Sequence, residues 1–210
     1  MKQVFLEPYN KVPCFTKQNL KLIFKGSNDA LDERIKRALK NKQILTLKKG
    51  LYISNLYYLQ EPDKSGLKEF ISSKLRYPSY LSMEYVLSKF GLLTEGVFIT
   101  TSITIKSGRI YQNFLGNYKY SNIKKDLFCG YEEMKFYKNT YFIATKAKAL
   151  FDLLYLKRNL GDLKKELLSD LRINWENFDS KDFSLFKKYV LKSKSQKMLK
   201  ILKIIEKNYA

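Results

Sequence analysis

The 210-residue chain has no histidine and only two cysteines, Cys14 and Cys129. Without an imidazole there is no Ser-His-Asp or Cys-His nucleophile, no His-x-Glu zinc deaminase and no His-Glu-x-x-His protease. The two thiols lie far apart and form no Cys-x-x-Cys pair, which excludes a disulfide scaffold and a zinc finger. No Gly-x-x-x-x-Gly-Lys-Ser/Thr loop is present, which argues against a P-loop ATPase. No apolar run approaches the roughly 20 residues of a membrane span. The start, Met1 to Pro8, is too short and too polar for a signal peptide. The expectation is a cytoplasmic protein with no membrane partner and no cofactor.

Acid is also scarce, with 20 Asp and Glu against 40 Lys and Arg, for a net charge of +20. Such a surplus favours a polyanionic partner, because neutralising phosphates releases condensed counterions. The excess is uneven. Residues 1–60 carry twelve basic and four acidic side chains, residues 61–180 nineteen and fourteen, and residues 181–210 nine and two. Basic ends around a nearly balanced middle point to separate roles. Solubility alone is the plainer account of the charge.

Phe15 to Ile53 carries the most specific pattern. A helix over about Thr16–Phe24 breaks at Lys25-Gly26-Ser27, and a second follows over about Asn28–Lys42. Ile44 to Ile53 then reads as two short strands around a Lys-Gly turn. Leu31, Ile35, Ala38 and Leu39 make one buried stripe on the second helix. Thr16, and Ser27 or Asn28, are placed to cap the two helices. This is the layout of a winged helix-turn-helix, in which the second helix enters the major groove. On that reading Asn28 meets base edges, Lys36 and Arg37 meet phosphates or guanines, and Arg34 and Lys40 share the charged face. Lys17 and Gln18 lie on the outer side of the first helix, and Lys48 and Lys49 at the wing tip. Asp29 and Asp32 would repel phosphate there, so they contact cytosine or point away. An ordinary helical hairpin with a solvated charged face is the bland alternative.

Glu61-Pro62-Asp63-Lys64-Ser65-Gly66 reads as a linker. It divides a DNA-binding domain over 1–60 from an α+β domain over 67–210. In the latter a helix spans Leu67–Leu75, and another opens near Tyr77 and runs to Phe90 with Ser82 as cap. Val97–Ile105 is a strand. Two hairpins follow, turning at Leu115-Gly116 and Lys138-Asn139. Helices are expected over Lys146–Lys157, about Leu160–Leu171, Lys181–Lys192 and Lys194–Tyr209. The order suggests a small antiparallel sheet surrounded by helices.

Four blocks then carry a family resemblance. They are Tyr77-Pro78-Ser79-Tyr80-Leu81-Ser82 with Gly91-Leu92, Thr100 to Thr104, Phe128-Cys129-Gly130-Tyr131-Glu132, and Ala144-Thr145 with Lys148 to Tyr155. In this order they resemble the AbiEi family, antitoxins of AbiE-type (type IV) toxin–antitoxin systems linked to abortive phage infection. The likeness covers roughly residues 12 to 160. Lys146-Ala147 departs from it, since the family more often has Pro-Glu after Ala-Thr. The resemblance implies a winged helix that represses the operon's own promoter at inverted repeats. It also implies a C-terminal domain that counteracts a nucleotidyltransferase-like toxin without a stable complex. Inverted repeats would require two protomers on the DNA, and no dimer seam is visible.

Several residues have a structural reading beside a functional one. Asp152, in an apolar helical run, is expected to pair with Lys148 one turn away. Tyr77, Tyr80, Tyr85 and Tyr131 can stack on bases but fit a core or rim better. The last helix carries Met198, Leu202, Ile205 and Tyr209 on one stripe, with Lys197, Lys200, Lys203 and Lys207 outside, as a domain-closing helix does. The best enzyme alternative is a metal-dependent nuclease built on Glu133-Met134-Lys135, with Asp126 or Glu132 as a further ligand. A regulator with no toxin partner is the other alternative.

Overall fold

The computed structural model describes residues 6–157, 165, 167 and 170–209. Most of the helix expected over Leu160–Leu171 lies outside these residues.

The N-terminal segment opens on a 3-10 turn, Glu7–Lys11, followed by β1 (Phe15–Thr16), α1 (Lys17–Ile23), α2 (Asn28–Lys40), β2 (Ile44–Lys48) and β3 (Leu51–Ser54). The strands form an antiparallel sheet in the order β1-β3-β2. Both helices start where the sequence places a cap. The Thr16 hydroxyl accepts from the backbone N–H of Asn19, whose side chain accepts the Thr16 N–H in return. Ser27 accepts from the N–H of Ala30. Gly50 takes a positive φ of 78° at the β2–β3 turn, a conformation open to glycine at little cost. Leu20, Leu31, Ile35, Ala38 and Ile44 close a small core with Leu6 and Phe15.

The hairpin serves two cores. Ile44 faces the small one, while Leu47, Leu51 and Ile53 join the main one. The β2–β3 register shifts between Thr46 and Lys48. This bulge turns both Leu47 and Lys48 toward the rest of the molecule. A short helix, α3 (Asn55–Gln60), follows, and only three residues separate it from α4 (Lys64–Leu75). The expected linker is therefore partly helical. Asp63 caps α4 through the Gly66 N–H at 2.8 Å, and Glu61 is buried.

The remaining strands are β4 (Ser79–Leu81), β5 (Ile99–Thr104), β6 (Arg109–Asn113), β7 (Gly116–Asn122), β8 (Tyr131–Phe136) and β9 (Asn139–Ala144). They form one six-stranded sheet in the order β6-β7-β5-β4-β9-β8. The small antiparallel sheet expected here is thus corrected to a larger mixed one, since β4 pairs parallel with β9 and β5 parallel with β7. Both expected hairpins form, turning at Phe114-Leu115 and Tyr137-Lys138, one residue earlier than the sequence suggested. The helix expected from Tyr77 is shorter: β4 occupies its start and α5 spans only Glu84–Lys89. Three further helices, α6 (Lys146–Leu156), α7 (Ser180–Ser193) and α8 (Gln196–Tyr209), complete the described fold. Met198, Ile201, Leu202 and Ile205 of α8 are buried, so it closes the core as its stripe suggested. No helix among the described residues is long and apolar enough to cross a membrane.

Three of the buried carboxylates organise the polar interior. Asp152 is fully buried and paired with Lys148, and accepts from the hydroxyls of Tyr80 at 3.0 Å and Ser82 at 2.7 Å. Its burial pushes the carboxyl pKa up, against the pull of Lys148 and the hydroxyl donors. Glu69 accepts from Tyr85 and Tyr141, each at 2.7 Å, and pairs with Lys89. Glu61 accepts from Tyr57 and Tyr137, each at 2.8 Å. Each acid ties together elements distant in sequence, as buried charge must when water cannot satisfy it.

Candidate nucleic-acid interface

Helix α2 buries Leu31, Ile35 and Ala38 and turns Asn28, Asp29, Glu33, Arg34, Lys36, Arg37 and Lys40 outward. The amphipathic period dictates this division. Four cations on one exposed face can meet successive phosphates or base edges. Arg34 lies over the Phe24 ring, 5.1 Å from its centroid, which steadies the guanidinium beside the inter-helix turn. Lys36 pairs with Glu33 at 2.6 Å on the open surface, which raises the lysine's pKa and lowers the carboxylate's. So exposed a pair is weak and gives way easily to a phosphate. Gln18 is exposed on α1, and Lys49 is exposed beside Gly50 at the hairpin tip.

Two of the expected contacts are placed elsewhere. Lys17 is half-buried, with its ammonium against both carboxylate oxygens of Asp32 at 2.6 and 2.7 Å, tying α1 to α2. That pair also answers what Asp32 does, since its charge is met within the protein. Lys48 departs further. Its ammonium donates to the carbonyls of Lys74 at 3.0 Å and Leu75 at 2.7 Å, the last two of α4. Those carbonyls lack helical partners and sit at the negative end of the helix dipole. Burial, with the Arg76 and Lys106 charges nearby, lowers the Lys48 pKa. Lys48 is thus a helix cap and leaves the groove-facing set. Lys197 repeats the device. Expected outside α8, it donates instead to the carbonyls of Leu154, Tyr155 and Lys157 at 2.7–2.9 Å, at the end of α6.

Arg34, Lys36, Arg37 and Lys40 therefore share one helix face, with Asn28 at its start and Lys49 on the hairpin. Lys25 and Lys42, near the two ends of α2, are also exposed and enlarge the basic surface. Their only sequence signal was position beside the helix limits. Among the tyrosines, Tyr80 is buried and stacks on Tyr131 at 4.8 Å, and Tyr85 is engaged with Glu69. Tyr77 is 71% exposed and remains open to a partner.

The Glu133-x-Lys135 pattern lies exposed on β8, at the edge of the sheet. Glu132, its neighbour in an extended strand, points to the other face, and Asp126 lies in a separate 3-10 turn. Among the described residues no three Cys, Asp or Glu side chains gather as metal ligands do. The nuclease alternative thus has no assembled centre there.

No protein-family model matches the chain, and no curated protein matches it either.

Proposed function

We propose that this protein is a DNA-binding repressor of the winged helix-turn-helix type, with the groove-entering element in α2. The observation that carries the proposal is the exposed face of Arg34, Lys36, Arg37 and Lys40, held by a buried Leu31-Ile35-Ala38 stripe. The strand–helix–helix–strand–strand order with its three-stranded sheet supports it, because a winged helix needs those parts in that order. Lys49 supplies the wing contact, and Lys17 positions α1 against α2. The resemblance adds the biological setting: autorepression of a toxin–antitoxin operon, with the α+β part counteracting a nucleotidyltransferase-like toxin.

A gel shift on the gene's own upstream region tests the DNA half, with a scrambled duplex as control. Retardation of the upstream duplex alone supports the reading, and equal retardation of both contradicts specific repression. Co-expression with a nucleotidyltransferase-like toxin encoded beside it tests the antitoxin half. Growth rescue by the full chain is the expected outcome. A protein that shifts its promoter but rescues nothing would be the stand-alone regulator.

A further inference from the structure

A cleft with a volume of about 860 Å³ lies between the N-terminal segment and the α+β body. That is within the range of small-molecule sites, roughly 300–1,000 Å³. One wall comes from residues 9–15 and Asn19. The other comes from α3, the connector to α4, α4 itself and the β8–β9 turn.

Its charge is one-sided. Lys11, Lys74 and Lys138 reach it from three separate elements, all exposed and none with an acidic partner among the described residues. The single carboxylate of the lining, Glu61, is 6% exposed and already occupied. One oxygen accepts from Tyr57, and the other from Tyr137 and the Asp63 N–H at 3.0 Å. Those bonds also fix the two tyrosine rings as walls, and Tyr9 is anchored by its hydroxyl on the Asn19 carbonyl at 2.6 Å. The cleft thus offers three ammonium groups with no acidic partner among the described residues, that of Lys74 lying 4.9 Å from the centroid of the Phe70 ring, beside hydrogen-bonded aromatic surface. Ammonium groups from several directions suit a group with several anionic oxygens, and fixed rings suit a flat partner.

We infer that this cleft binds a small phosphorylated ligand with a flat ring, of the nucleotide class. Lys11, Lys74 and Lys138 meet the phosphates, and the tyrosines meet the ring. A ligand there would touch both the N-terminal segment and the body, and so bear on how α2 is presented. That consequence rests on the proposed function, whereas the binding itself does not.

Isothermal titration of the full chain with ATP, adenosine and inorganic pyrophosphate, without DNA, tests it. ATP is expected to bind saturably at one site, at least about tenfold tighter than either fragment. Lys11→Glu with Lys138→Glu should weaken ATP about tenfold or more, whereas Lys200→Glu with Lys203→Glu, the same charge change on α8, should alter it less than about twofold. All four lysines are exposed, so melting temperatures of the ligand-free variants should match the parent. Absence of saturable ATP binding overturns the inference. So does an equal loss in both double variants, which means general attraction to a basic protein, and so does pyrophosphate binding as tightly as ATP, which leaves the rings without a part.

Discussion

The ammonium of Lys48 lies 2.7 Å from the carbonyl oxygen of Leu75, joining the bulged end of β2 to the end of α4. The next residue, Lys49, is exposed at the hairpin tip. Adjacent lysines are thus placed differently, one bonded within the protein and one open to solvent. Lys48→Ala should lower stability by about 1.5–3 kcal/mol, the range for hydrogen bonds to a charged group, and leave DNA affinity nearly unchanged in the folded protein. Lys49→Ala should leave the melting temperature unchanged and weaken DNA binding. Thermal melts and DNA titrations of the two variants separate these effects.

Lys148 and Asp152 are both fully buried and paired one helical turn apart. Asp152→Asn strands the lysine's charge in the core, an arrangement that costs about 3–5 kcal/mol. Adding Lys148→Met removes that charge, while the amide oxygen introduced by Asp152→Asn can still accept from Tyr80 and Ser82. The double variant should therefore be more stable than Asp152→Asn alone. Urea denaturation measures this, and a double variant as unstable as the sum of the two singles would contradict it.

Cys14 is held neutral by its surroundings. Burial pushes its thiol pKa up to about 11, although Lys74 and Lys48 pull the other way. The folded state favours the protonated thiol, so this contribution to stability is present below the ordinary thiol pKa and is lost as pH rises toward 11. In a Cys129→Ser background, iodoacetamide should label native Cys14 slowly at about pH 8.5, the ordinary thiol pKa. The rate should rise toward a midpoint near pH 11, and denaturant should abolish the protection. Rapid native labelling at the lower pH would contradict this assignment.

Local signals carried much of the fold. The caps at Thr16 and Ser27, the α2 stripe and the turn at Lys49-Gly50 depend on neighbours within a few residues and lie where the sequence puts them, and the turns expected around Leu115-Gly116 and Lys138-Asn139 fall one residue earlier. The Lys148–Asp152 pair was legible for the same reason, being one turn apart on a single helix. The parallel pairings of β4 with β9 and β5 with β7 were not, because no local period reports which strands meet. Strand β4 has only three residues and sits where the flanking pattern read as helix. The roles of Lys48 and Lys197 were hidden too. Each looks like a surface cation until a distant helix end is brought to it. In the candidate interface the α2 face was legible from periodicity, whereas the Lys17–Asp32 pair depends on how two helices cross.

The proposed DNA contact by the α2 face predicts a graded response to salt. Each phosphate contact contributes roughly 0.9 to the slope of log affinity against log salt. Replacing Arg37 and Lys40 together by alanine should therefore flatten the slope by about 2 and weaken binding at low salt most. The same change should leave stability within about 0.5 kcal/mol, because both side chains are exposed and their helix is held by its other face.

Fluorescence anisotropy of a labelled upstream duplex, titrated with protein at several salt concentrations, tests the central claim most directly. For Arg37→Ala with Lys40→Ala we expect affinity reduced by about tenfold or more and the flatter slope, with Lys48→Ala close to the parent. Parental affinity and slope in the Arg37/Lys40 variant would contradict groove recognition by α2.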